Sequence, residues 1–119
     1  DVTTAPAEFV AEEPELVAAF LEVTANANEM WNSGENTAEM LPVIAQDAGM
    51  DEAAAEATLA TFVFPSVSEQ LSEAWLGGNV GAYMTGVAQV FLDAGNIDSA
   101  RDSYDAAVNT DPLSTLDSM

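Results

Sequence analysis

The stretch PELVAAFLEVTANANEMW, residues 14–31, decides the fold class of this chain. Its apolar residues recur at steps of three and four, the spacing that places side chains on one face of an α-helix. The stripe consists of Leu16, Phe20, Val23, Ala27 and Met30, and it is widened by Val17, Leu21 and Trp31. Pro14 suits the first turn of a helix, and Glu15 suits its positive end. The pattern therefore predicts one long amphipathic helix that ends at Asn32-Ser33-Gly34.

Working outward from this helix, the sequence predicts five more helices and almost no strand. They cover residues 36–49, 52–61, 66–77, 79–95 and 98–108. Polar residues at their starts indicate caps: Asn36 with Glu39, Asp51, Ser66 with Glu69, and Asn79. Pro42 is expected to kink or shorten the first of these helices, and Pro112 is expected to end the last. The apolar residues 62–65 are the best candidate for an extended segment.

The charge inventory excludes several classes of function. The 119 residues include 21 acidic side chains and a single base, Arg101, with no lysine, histidine or cysteine, for a net charge of −20. Without His or Cys there is no imidazole proton shuttle, thiolate nucleophile or Cys/His zinc site. Polyanions such as nucleic acid would be repelled, because their affinity depends on Lys and Arg. No enzyme is indicated, and no cofactor; a carboxylate enzyme using paired acids has only the acid count in its favour.

Length and hydropathy allow at most one domain, or part of one, with a buried core. No apolar run approaches the ~18–20 residues that a membrane span needs, so the chain is not expected to insert into a membrane. The first residue is Asp1 rather than Met, which fits a mature or clipped product as well as an excised segment.

Two interpretations of the acidic surface remain open. The first is adaptation to a saline or marine habitat, where salt mutes the repulsion among carboxylates. The second is a store of calcium or another cation. The acids are scattered rather than set at ligand spacing, and the nearest loop, residues 93–98, lacks the alternating ligands and the terminal Glu of a calcium loop. Salt adaptation is the favoured interpretation.

A repeat-like pattern lies near the end of the chain. Counting back from Pro112, small, aromatic and helix-ending residues fall where a tetratricopeptide repeat places them: Ala107, Tyr104, Ala100, Gly95, Phe91 and Ala88. No second copy occurs upstream at the period of that repeat, and one repeat cannot bury its own faces. An antiparallel helix pair with a glycine turn explains the same residues. A helical protein-interaction module of tetratricopeptide type is kept as the alternative function.

A second pattern spans most of the chain. FVAEEPELVAAF at residues 9–20 resembles the segment that opens the closing helices of solute-binding proteins for taurine, alkanesulfonates and nitrate. In order along the chain, GMDE at residues 49–52 resembles a small-helix junction of that family. FPS at 64–66, followed by Glu69 and Gln70, resembles its aromatic-proline turn. Residues 90–97, VFLDAGNI, resemble its final helix and glycine exit. Each piece alone is unspecific, so the resemblance depends on their order and spacing.

The resemblance implies that residues 1–119 are the C-terminal helical part of a two-lobed α/β periplasmic-binding-protein fold of type II, with the first lobe outside this sequence. It implies capture of taurine or a related organosulfonate for an ABC importer, delivery to a membrane permease, and a periplasmic or extracellular location. The chain lacks the lysines common on the helices of that family, which fits the saline interpretation.

The resemblance gives one candidate ligand-binding residue, Asp1, which matches an aspartate that contacts the amine of the ligand. A terminal aspartate without a partner is the alternative. Arg101 suits either an anion clamp or an ion pair within a helix with Asp98, Asp102 or Asp105, and the ion pair is favoured. Trp31 and Trp75 are interpreted as packing anchors rather than as groups that stack on a ligand.

Overall fold

The structure is a computed structural model that describes residues 2–117, and within that range the chain is helical with no β-strand. The prediction of a mainly α chain is therefore confirmed. The elements are α1 (Ala7–Glu12), α2 (Pro14–Ser33), α3 (Thr37–Ala48), α4 (Glu52–Leu59), α5 (Val67–Leu71), α6 (Asn79–Asp93), a 3-10 helix (Asp105–Ala107) and α7 (Asp111–Asp117). Among the described residues they form two compact units, one of residues 2–21 and 67–117 and the other of residues 22–66.

Helix α2 has the boundaries that the sequence predicts. It begins at Pro14, and Gly34 leaves it in the left-handed region with φ 73°. The hydroxyl of Ser33 donates to the Met30 carbonyl at 2.9 Å, which satisfies one of the carbonyls left open at the end of the helix. The side chain of Asn36 donates to the same carbonyl at 3.4 Å. The predicted capping box of Asn36 is therefore wrong: its amide serves the end of α2, and α3 begins without a side-chain cap.

Within residues 22–66, α3 and α4 form a helical hairpin. Gly49 ends α3 with φ 70°, and the Met50 N–H donates to the Ala45 carbonyl at 3.0 Å, the bond of a Schellman motif. Asp51 caps α4 as predicted, because its Oδ1 accepts from the Ala54 N–H at 2.8 Å. The two helices pack through the buried side chains of Ala45 and Ala55. Small side chains at these positions let the two helix backbones approach closely.

The predicted extended segment, residues 62–65, is neither helix nor strand. The rings of Phe62 and Phe64 meet edge to face, with centroids 6.2 Å apart, a favourable aromatic geometry. The carbonyl of Phe64 accepts from the Asn32 side chain at 2.7 Å, which ties the segment to the end of α2.

The helix predicted over residues 66–77 is much shorter than expected. It ends at Leu71, and turns carry the chain to Gly78. The hydroxyl of Ser72 donates to the Glu69 carbonyl at 2.6 Å, a local bond that competes with continued helix. Gly77 closes the turn, and a Cβ there would lie 2.8 Å from the Leu71 carbonyl oxygen. Asn79 is the first residue of α6 rather than its cap, a position that Gly78 occupies.

The last predicted helix, over residues 98–108, is wrong. Only the 3-10 turn at residues 105–107 forms there, while α7 begins three residues beyond the predicted end. A side chain supplies a competing bond within this stretch, since Ser103 Oγ accepts from the Asp105 N–H at 3.2 Å. At the start of α7, Asn109 Oδ1 accepts from the Asp111 N–H at 3.0 Å. Pro112 lies in the first turn of α7, where its missing N–H costs no helical bond. It therefore starts a helix rather than ending one.

The apolar stripe of α2 faces solvent. The exposed fractions of Leu16, Phe20, Val23 and Met30 are 57%, 57%, 68% and 45%. The half-buried side of the helix is the adjacent one, which carries Val17, Leu21, Ala25 and Trp31. Because alanine and valine extend the apolar surface of α2 around the helix, the sequence pattern does not determine which of the two sides packs. Among residues 2–117 the fully buried apolar residues are few: Ala45, Ala55 and Leu113, the last where α7 packs against α5.

Candidate functional site

A broad, open groove of about 730 Å³ lies within the unit of residues 2–21 and 67–117. Its walls come from the glycine turn before α6, the first two turns of α6, and the segment around the 3-10 helix. Its polar side chains are two carboxylates and three hydroxyls: Asp102, Asp105, Thr85, Ser103 and Thr110. The groove is therefore rich in hydrogen-bond acceptors.

The shape of the groove depends on glycine at position 81. Gly81 is buried in the first turn of α6, and a Cβ there would overlap the Oδ1 atom of Asp105. The carboxylate of Asp105 thus lies against the N-terminal turn of α6, where the helix dipole favours negative charge. The Ser103 hydroxyl accepts from the Asp105 N–H and fixes the backbone at that point.

Two backbone donors at the start of α6 are already in use. The N–H groups of Asn79 and Val80 donate to the carbonyls of Glu73 and Trp75, each at 2.9 Å. An anion at this helix end would also meet the carboxylate of Asp105. In chemical terms the groove suits an ammonium or a hydroxyl group, and it does not suit a sulfonate.

The structure does not bring the predicted site residues together. Asp1 lies outside the described residues. Arg101 is exposed, and its backbone N–H donates to the Tyr104 hydroxyl at 3.2 Å. Because residues 98–104 are not helical, the helical spacing that the predicted ion pair of Arg101 requires does not exist. Trp31 is half-buried, and Trp75 is 40% exposed on the turn before α6.

Neither a metal centre nor a membrane span is found in the described part of the chain. Within residues 2–117 no three acidic side chains are grouped so that they would hold a metal ion. In the loop considered for calcium, the carboxylate of Asp93 accepts from the Gln89 side chain at 2.8 Å. None of the helices in that range is both long enough and apolar enough to cross a bilayer.

Sequence reasoning missed the groove. The available signal was the glycine cluster at positions 77, 78 and 81, which marks a close approach of backbone segments. The pairing of this cluster with Asp105 depends on a loop for which the apolar pattern predicts a helix, so local patterns offer no basis for placing the two together.

Comparisons with protein-family models, with curated proteins and with solved structures gave no match to this chain.

Proposed function

We propose that this chain belongs to the substrate-capture component of an ABC importer, as the C-terminal helical part of a two-lobed binding protein for taurine or a related organosulfonate. Such a component performs no chemistry. Two lobes close on the solute, and the closed protein presents it to a membrane permease. The absence of His, Cys and Lys from the sequence is compatible with a role that needs no proton shuttle or nucleophile.

One observation carries the proposal: the segments that resemble the family coincide with element boundaries. Pro14 begins α2, and Gly49 ends α3 in a left-handed turn. Residues 64–66 form the irregular segment ahead of α5, which carries Gln70, and Gly95 follows α6 with φ 76°. The order, spacing and local structure of the segments within residues 9–97 are thus compatible with the resemblance to that family.

A zwitterionic solute needs different binding groups for its positive and negative ends. Taurine carries a sulfonate and an ammonium group, and the acceptor-rich groove suits only the second. Because Arg101 is the single base in the sequence, the sulfonate has to be held by neutral donors or by residues outside this sequence. Asp1 is proposed as a carboxylate for the amine, on the resemblance alone.

The tetratricopeptide alternative receives no support from the geometry. Its pattern requires a second helix over residues 98–108 that packs on the helix before it, and that stretch forms only a short 3-10 turn. We therefore do not carry the alternative further.

The proposal is tested by the coding sequence upstream of Asp1 together with calorimetry on the 119-residue chain. We expect a two-lobed α/β sequence with a signal peptide upstream. We also expect no heat of binding when taurine is titrated into the isolated chain, because half of the cleft is outside it. An upstream series of thirty-four-residue repeats would contradict the proposal. A sub-millimolar signal from the isolated chain would overturn the assignment of the cleft to two lobes.

A further inference from the structure

A second surface of the chain has the chemistry of a docking site for a protein helix. Within the unit of residues 22–66, helix α2 carries Val23, Ala27 and Met30 on one face, which we call the outer face of α2. All three side chains are exposed, with Val23 at 68% and Met30 at 45%. Their spacing places them in line along the helix axis.

The outer face is not the surface by which this stretch of α2 packs within its own unit. The half-buried positions are Ala25, Asn28 and Trp31, on an adjacent side of the helix. Apolar groups in line on a helix gain stability only when another apolar surface covers them, and the usual cover is a second helix with anchors at matching spacing.

The charge around this face selects the partner. Glu22 and Glu29 each directly precede a residue of the outer face, so that both carboxylates lie along the same side of the apolar line. Residues 22–66 carry no base at all, and their eight acidic residues are Glu22, Glu29, Glu35, Glu39, Asp47, Asp51, Glu52 and Glu56. A second copy of the chain would bring the same negative charge to the contact and be repelled.

We infer that the outer face of α2 binds a basic amphipathic helix of a partner protein. Apolar side chains of that helix cover Val23, Ala27 and Met30, and lysine or arginine side chains along one of its flanks pair with Glu22 and Glu29. The contact combines an apolar line with charge steering, so salt weakens it and like charge excludes wrong partners. The inference does not depend on the solute that the protein captures.

The test uses the 119-residue chain and a synthetic helical peptide with leucine along one face and lysine along one side of that face. Fluorescence anisotropy of the labelled peptide measures the affinity in low and high salt. We expect binding that weakens as salt is added, and no binding of a control peptide in which glutamate replaces each lysine. Replacing Val23 and Met30 together with serine is expected to weaken binding by about tenfold or more.

A matched control separates the outer face from general attraction to an acidic chain. Val63 is 73% exposed in the same unit but lies on the segment after α4, so Val63→Ser should leave peptide binding unchanged. The pair Glu22→Gln and Glu29→Gln should reduce the salt dependence while the helical circular dichroism is retained. Equal loss in the Val63 variant, or no loss in the Val23 and Met30 variant, overturns the inference. A dimer in sedimentation that the serine variant abolishes also overturns it, because a second copy would then cover the face.

Discussion

Two glycines of α6 differ in what surrounds them, although both lie inside the same helix. A Cβ at position 86 meets open space, whereas a Cβ at position 81 would overlap the carboxylate of Asp105. Gly86→Ala is expected to raise the free energy of unfolding by about 0.5–1 kcal/mol, because alanine loses less backbone entropy on folding. Gly81→Ala should gain less or lose stability, since Asp105 has to move. Urea unfolding followed by circular dichroism measures both.

A double-mutant cycle tests whether Asp105 causes the difference in stability between Gly81→Ala and Gly86→Ala. In an Asp105→Ala background the carboxylate is absent, so Gly81→Ala should approach the stability gain of Gly86→Ala. If the two backgrounds give the same result for Gly81→Ala, the contact between α6 and the 3-10 segment is not the one described.

The cap at Asp51 gives a second prediction at the scale of one residue. Asp51→Ala removes the acceptor for the Ala54 N–H and is expected to cost about 1 kcal/mol. Asp47→Ala is the matched control, because it removes the same charge from an exposed position near the end of α3. Asp51→Ala should melt at the lower temperature, because Asp47→Ala removes no cap and takes a negative charge from the unfavourable end of its helix. Equal melting temperatures would contradict the assignment of Asp51 as the N-cap.

Two prolines show how an element depends on position. Pro42 lies inside α3 and leaves the Ala38 carbonyl without its helical donor, whereas Pro112 lies in the first turn of α7. Pro42→Ala is expected to raise the free energy of unfolding by about 1–3 kcal/mol, a large part of the interior penalty of proline. Pro112→Ala should change it by about 0.5 kcal/mol or less. Urea unfolding checks both, and a larger effect at Pro112 than at Pro42 would contradict the helix boundaries.

The elements that the sequence predicted well are those with a strong local signal. Residues 14–33 combine a helix-starting proline, a regular apolar period and a glycine that follows the helix. The helix over residues 79–93 is likewise followed by a glycine, Gly95. The failures have a shared physical cause. At Ser72 and Ser103, short polar side chains bond to nearby backbone groups in place of continued helix, an outcome that periodicity does not reveal.

The side of α2 that packs was also beyond the sequence. Leu16 and Phe20 are larger and more apolar than the alanines beside them, yet they face solvent while Val17 and Leu21 are half-buried. Packing of an alanine-rich helix depends on how closely its neighbours approach, and that is a tertiary property. For the same reason local sequence patterns do not predict the groove, which is lined by Gly81 and Asp105.

At the scale of the whole molecule, net charge controls stability. With 21 acidic groups and one base, repulsion among carboxylates opposes the folded state in dilute buffer. Raising sodium chloride from about 0.1 M to about 1 M shortens the screening length from roughly 10 Å to roughly 3 Å. We therefore expect the melting temperature to rise by several degrees, measured by circular dichroism.

Potassium chloride at the same concentration is the control for screening and should act equally. Calcium chloride at matched ionic strength should add nothing further, because no cluster of three acids is formed within residues 2–117. A melting temperature that falls with salt would contradict the electrostatic account, and a large increase specific to calcium would favour the cation-store interpretation instead.

The central claim is solute capture, and titration of the complete polypeptide that contains these 119 residues tests it most directly. Isothermal calorimetry with taurine should give one-site binding at sub-millimolar concentration or tighter. Ethanesulfonate, which lacks the amine, should bind more weakly, and Asp1→Asn should reduce that difference, because the carboxylate is proposed to hold the ammonium group. Absence of heat with taurine and with other organosulfonates would contradict the claim.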